Sequence, residues 1–271
     1  SGGGISSSGI IGSDGGGAVQ VTVTGTLTVN GSVTANGETL IDTSSSSRSG
    51  GSGGSVYLNA GTLAGTGSIT ANGGAGNVDG SGGGGGRIAL YYTTDSSTLA
   101  ALSAYGGIAD TSGSDTTIRF ITGGAGTLYK KAAANTNGDL IIDNNYQDPL
   151  QDDMFMGKTP VTGTYTFNTL TVQHLGHLVL YPDSNLSYST LSWSGSGVIE
   201  DNNAGTFALV TSGVALDVPV TARLYAHTAS TFTTGTVDGI LTHGTNYTTQ
   251  DYRINLTFSS LTLNPNSEVN V

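Results

Sequence analysis

The chain has 271 residues, a formal net charge of -11 from 19 acidic and only 8 basic side chains, and no cysteine. So few Lys and Arg leave no basic stripe for a phosphate backbone, which argues against nucleic acid as a partner, and the absence of cysteine removes disulfides and thiolate metal sites together. Charged residues are 10% of the chain and glycines number 44. That glycine share is about twice the average, while recurring aliphatic residues separate the chain from disordered sequences.

The chain opens on Ser1-Gly2-Gly3-Gly4 with no visible signal peptide, and no run of apolar residues approaches the length of a membrane span. The first strong feature is a repeat. Gly25–Gly37 reads GTLTVNGSVTANG and Gly61–Gly73 reads GTLAGTGSITANG, nine of thirteen positions identical at an offset of 36. Ser103-Ala104-Tyr105-Gly106-Gly107 echoes Thr70-Ala71-Asn72-Gly73-Gly74. A second strand type recurs at Val56-Tyr57-Leu58, Ile88-Ala89-Leu90 and Ile118-Arg119-Phe120. Two strand types returning in one order predict stacked short strands.

The glycine tracts at 50–54 and 73–86 separate these strands. Ordering glycine costs more conformational entropy than ordering any other residue, so the tracts need a compensating contact. Close side-by-side packing of extended backbone, open only to residues without Cβ, supplies one. The expectation is tracts lying flat against the strands or against a neighbouring chain. Gly73–Asp79 also resembles a calcium-binding nonapeptide, with Asp79 one place late. Helix signals are scarce and confined to 96–103 and 130–134.

The stretch 146–164 holds two of the five prolines and both methionines, and is read as an irregular connection between 1–145 and 165–271. Asp148, Asp152 and Asp153 within it, with Asp139 and Asp143 beside it, are the densest acidic run. They are the candidate ligands for a structural calcium ion; the plainer reading is a solvated acidic loop. No other cofactor is expected.

Beyond 165, apolar positions at 165, 167, 170, 172, 178 and 180 recur at 256, 258, 261, 263, 269 and 271, and the first four recur 21 residues later as Leu186, Tyr188, Leu191 and Trp193. The step from 167 to 170 requires a corner if both residues are to face inward. His174 and His177 flank a glycine and predict a turn; His227 and His243 stand apart in sequence. Arg48, Arg87, Arg119, Arg223 and Arg253 each lie outside the acidic run, and Gly195-Ser196-Gly197 lacks the context of a nucleophile elbow. Asn30, Asn185, Asn246 and Asn255 head Asn-x-Ser/Thr sequons at near the chance frequency for so Ser/Thr-rich a chain.

These features together predict an all-β chain: a parallel β-helix (solenoid) with glycine-rich loops, its C-terminal half a continued solenoid or a β-sandwich. Ser52–Leu58, Gly67–Gly74 and Gly82–Tyr92, followed by Gly124–Lys130 and Gly138–Asn144, resemble a glycine-rich repeat region of large secreted bacterial surface, adhesin-like proteins. The likeness covers about residues 50–145. It implies an extracellular or cell-surface location and a non-enzymatic role, and brings no catalytic residues.

The expected function is an extracellular structural or adhesive protein, a filament subunit or stalk segment joined end to end. Its partners would be copies of itself, other surface proteins or glycans, without membrane insertion. Both chain ends fall inside the repeat pattern, which predicts a processed chain or a segment of a longer one. The alternative is a carbohydrate-binding or polysaccharide-cleaving protein using outward aromatics among Tyr91, Tyr92, Tyr181, Tyr188 and Trp193; the periodicity turns Tyr188 and Trp193 inward.

Overall fold

The computed structural model describes residues 13–39, 48–77, 80–110, 121–147, 157–182, 184–201, 215–227, 229–244 and 253–271. Among these, strands and turns occur without helix. The segments 96–103 and 130–134 contribute instead to strands and turns. No helix of the described residues is long and apolar enough to cross a membrane. Contacts divide the chain into two units, Ser1–Lys158 and Thr159–Val271, so the division falls inside the irregular stretch 146–164.

The first unit carries β1 (Ala18–Thr28), β2 (Ser32–Thr34), β3 (Ser55–Ala64), β4 (Ser68–Thr70), β5 (Arg87–Asp95), β6 (Ala101–Ser103), β7 (Thr127–Ala132) and β8 (Asp139–Asp143). Parallel pairing joins β1, β3, β5 and β7 in that order. The two copies of the 13-residue repeat pair directly: Leu27 with Leu63, Val33 with Ile69. A bulge between Val23 and Thr26 adjusts the register so that the offset of 36 holds along the copy. Alternation then builds aliphatic rows, Val19–Val56–Ile88–Leu128 and Val21–Leu58–Leu90, facing the row Val33–Ile69–Leu102 of β2, β4 and β6. All of these side chains but Val19 belong to one core cluster. The partner of Ile88 is Leu128, not the Ile118 that the spacing suggested; 118–120 lie outside the described residues.

The glycine tracts are the surprise of this unit. Backbone hydrogen bonds run from segment to segment: Glu38 N–H donates to Asp14 C=O, Gly51 to Glu38, Gly74 to Gly51, Gly83 to Gly74, Gly107 to Gly83 and Gly123 to Gly107, at 2.7–3.0 Å. A Cβ placed on Gly51, Gly83 or Gly123 would collide with the carbonyl oxygen of Asp14, Gly51 or Gly83 respectively; one on Gly74 or Gly107 would strike Glu38 or Gly74. The segments through 14, 51, 83 and 123 therefore form one layer and those through 38, 74 and 107 another. N–H groups bond carbonyls across the layers and also within them, as from Gly16 to Ser52, Gly53 to Gly84 and Gly85 to Gly124, and glycine Cα atoms face carbonyls in both directions.

The same in-layer contact returns three residues later, with Gly54 against Gly17, Gly86 against Gly54 and Gly126 against Gly86. Three residues per turn is the period of a polyproline-II-type helix. Across the layers the direction reverses: Gly50 and Gly53 meet Gly74 and Ala71, and Gly82 and Gly85 meet Gly107 and Ala104. Neighbours in a layer run parallel, and the two layers run antiparallel. Each Cα–H···O contact contributes only about 0.5–1 kcal/mol, but repeated beside N–H···O bonds it is of the order of the backbone entropy lost. Asparagines secure the edges of the layers. Asn36 Oδ1 accepts the Asn72 N–H and Asn72 Oδ1 accepts the Tyr105 N–H, both at 2.8 Å. Asn144, 1% exposed, accepts the Gly106 N–H at 2.7 Å and donates to Gly123 C=O at 3.1 Å.

The second unit carries β9 (Thr159–Val161), β10 (Thr164–Gln173), β11 (His177–Leu180), β12 (Asn185–Trp193), β13 (Val198–Asp201), β14 (Leu216–Val218), β15 (Arg223–Ala226), β16 (Ser230–Val237), β17 (Ile240–Thr242), β18 (Leu256–Leu263) and β19 (Glu268–Val269). Odd-numbered β9 to β19 form one parallel sheet, β14, β16 and β18 another, and β10 pairs β12 with the 21-residue offset read from the sequence. The row Leu178–Ile199–Leu224–Leu241 is buried throughout. Phe167 and Leu170 are both buried, three residues apart in one strand.

The expected fold class needs correction. The chain is not a single parallel β-helix (solenoid): its strands are divided among several separate sheets, and β8 turns back antiparallel on β7, Leu128 facing Ile141. The C-terminal half is not an antiparallel β-sandwich either, because its described strand pairs are parallel. Nor are the glycine tracts loops. Without Cβ atoms they pack backbone against backbone, and they build layers of their own in place of further β-ladder.

Candidate functional site

Two groupings of chemistry-bearing side chains emerge, one in each unit. In the second unit, β-alternation places His177, Glu200, Arg223, Tyr225 and Thr242 on the face of the sheet opposite the Leu178–Leu241 row. His177 Nε2 lies 3.0 Å from Glu200 Oε2, and the side chains are only 1% and 8% exposed. The Tyr225 ring stacks on His177 at 6.1 Å, and His227 meets Tyr225 edge-on at 6.3 Å. His227 Nε2 accepts the Gly244 N–H at 2.8 Å, and His243 bonds the Gly244 carbonyl. Of these histidines His177 alone touches Glu200; Tyr225 stands between His177 and His227, and Gly244 joins His227 to His243. Reading along the chain missed this, because the partners stand one and two rungs apart. His177 and Glu200 are buried, and their contact ties β11 to β13.

In the first unit, the outward positions of β3, β5 and β7 carry Tyr57, Tyr91 and Tyr129. Ring centroids lie 5.3 and 5.7 Å apart, tilted by 38° and 55°. In register, Ala89 stands between Tyr57 and Tyr129. Gly138 gives the Tyr129 ring its room, since a Cβ there would strike it. Burial raises the Tyr91 hydroxyl pKa above its ordinary value, and the neighbouring Tyr129 and Tyr57 add to this. Arg87, exposed at the start of β5, donates to Ser55 Oγ at 3.3 Å. Tyr92 points to the opposite side, where Lys130 lies over its ring at 5.8 Å and pairs with Asp95 at 3.1 Å.

The remaining sequence candidates are dispersed. Asp148, Asp152, Asp153, Asp79, Arg119 and Asn246 lie outside the described residues. Asp139 sits opposite Lys130, and Asp143 accepts the Asn145 N–H at 2.7 Å in a local turn. Gly73, Gly74 and Gly76 belong to the glycine layers, and Asn77 bridges to Arg48. Among the described residues no three His, Asp or Glu converge as metal ligands. The turn near Gly176 is made by His174 and Leu175, both at positive φ, and His177 begins β11. Trp193 is buried, its Nε1 donating to Gly197 C=O at 2.9 Å, so it offers no ring face to a sugar, and Tyr188 is half-buried. Tyr181 is exposed. No family model, curated protein or solved structure matches the chain.

Proposed function

We propose that this chain is a non-catalytic extracellular structural or adhesive protein, a stalk or filament segment that joins end to end with further copies. The observation that carries the reading is the repeated stacking of chain segments: parallel strands cover one another's aliphatic rows, and glycine segments bond backbone to backbone from one to the next. The glycine layers support a load-carrying role, because their rigidity comes from backbone contacts and leaves side chains on other faces for contact. The likeness of residues 50–145 to surface-protein repeats supports the extracellular location.

Sedimentation and negative-stain microscopy over a concentration series test this reading. The expected result is a concentration-dependent, end-joined species. A particle that stays monomeric at the highest attainable concentration contradicts it.

A further inference from the structure

The four parallel strands β1, β3, β5 and β7 present an outward face whose chemistry departs from that of the chain as a whole. The protein has 19 acidic residues against 8 basic ones. Yet the single carboxylate on these strands, Asp95, stands in the row of the buried Leu63, not on the outward face. Outward are two cations, Arg87 and Lys131, on adjacent strands. Their register separates them by four residues and one strand, about 14 Å at ordinary strand spacing. Between them lie Tyr91 and Tyr129, with Tyr57 on the next strand and the small Ala89 leaving a dip among the three rings.

At physiological ionic strength the screening length is about 8 Å, so carboxylates farther away than that weigh little, and the nearer Asp139 stands opposite Lys130, in the row that faces away from Lys131. We infer that this face binds an anionic polysaccharide, its acidic groups on Arg87 and Lys131 and its sugar rings against Tyr57, Tyr91 and Tyr129. The rings touch one another and are already ordered, so little side-chain freedom is lost on binding. Guanidinium and ammonium groups both pair with carboxylate or sulfate through charge-assisted hydrogen bonds. The inference rests on the extracellular, adhesive reading and names the ligand class for it.

Titration calorimetry with the purified chain separates the possibilities, using polygalacturonate as the carboxylate probe, heparin as the sulfate probe and dextran as the neutral control. Binding of at least one polyanion is expected, weakening as salt rises, with dextran inert. The double variant R87S/K131T should bind at least about tenfold more weakly, as expected for losing charge-assisted hydrogen bonds. An unchanged melting temperature would show that the variant folds. Tyr57→Ala should also weaken binding. Absence of binding to both polyanions, or undiminished binding by R87S/K131T, overturns the inference. End-to-end association measured on the same samples keeps the two readings apart: assembly without polyanion binding rejects this inference alone, and polyanion binding by a strict monomer rejects the end-joining alone.

Discussion

The two units stack chain segments by different physics. In the second, strands meet through side chains: Leu178, Ile199, Leu224 and Leu241 form a ladder in which each residue shields the next. In the first, the same sort of aliphatic ladder stands beside glycine layers whose contacts are made by backbone alone. A side-chain ladder can lose methyl groups and leave a cavity. A glycine layer cannot gain one, because the atom opposite is a neighbour's carbonyl, which has no rotamer to turn away. The first unit should therefore be intolerant of additions and the second intolerant of deletions.

The largest expected effect follows from this contrast. Gly107→Val places its Cβ against the Gly74 carbonyl and should abolish the cooperative unfolding transition of the first unit, followed by circular dichroism during heating. Leu224→Ala removes the middle of the aliphatic ladder and should cost about 2–5 kcal/mol in a urea titration. An effect below about 1 kcal/mol there would mean that the side-chain ladder does not hold the second unit together. Glu200→Ala leaves the buried His177 Nε2 without its carboxylate partner and should cost up to about 3 kcal/mol by the same assay, the penalty for orphaning a buried polar group.

The smallest effect concerns Asp95. Burial raises its pKa, but hydrogen bonds from the Ser97 side chain and backbone and the pairing with Lys130 outweigh this and leave it lowered. A lowered folded-state pKa contributes stability that is present above the unfolded-state value and lost as pH falls through the folded one. Asp95→Asn should remove that part of the acid dependence, at most about 1 kcal/mol for so accessible a pair. Equal acid-limb slopes in the two proteins would contradict the assignment.

Local repetition was the most legible feature of the amino-acid sequence. The offset of 36 pairs Leu27 with Leu63, and the offset of 21 pairs Val172 with Trp193, because a parallel ladder aligns identical positions of successive repeats. The need of the glycine tracts for a packing partner was legible too; that the partner is another glycine tract was not, since the sequence carries no mark of which extended segments lie side by side. The fold class failed for that reason, together with the hairpin that turns β8 back on β7 through the turn at Ala133 and Ala134. The His177–Glu200 pair stayed hidden because strand register, set by the turns between, decides which distant side chains share a face. By contrast, the inward placement of Trp193 was legible from the repeat of apolar positions, once the corner required by their step of three is allowed for.

Adjacent glycines in one tract offer the most direct test of the backbone layers. A Cβ on Gly83 strikes the Gly51 carbonyl, whereas one on Gly84 comes no nearer than 4.0 Å to any atom of the described residues beyond its chain neighbours. Thermal melts of Gly83→Ala and Gly84→Ala, run in parallel, should show a large drop in the melting temperature for the first and almost none for the second. Equal melting temperatures for the two would mean that these tracts are not packed backbone against backbone.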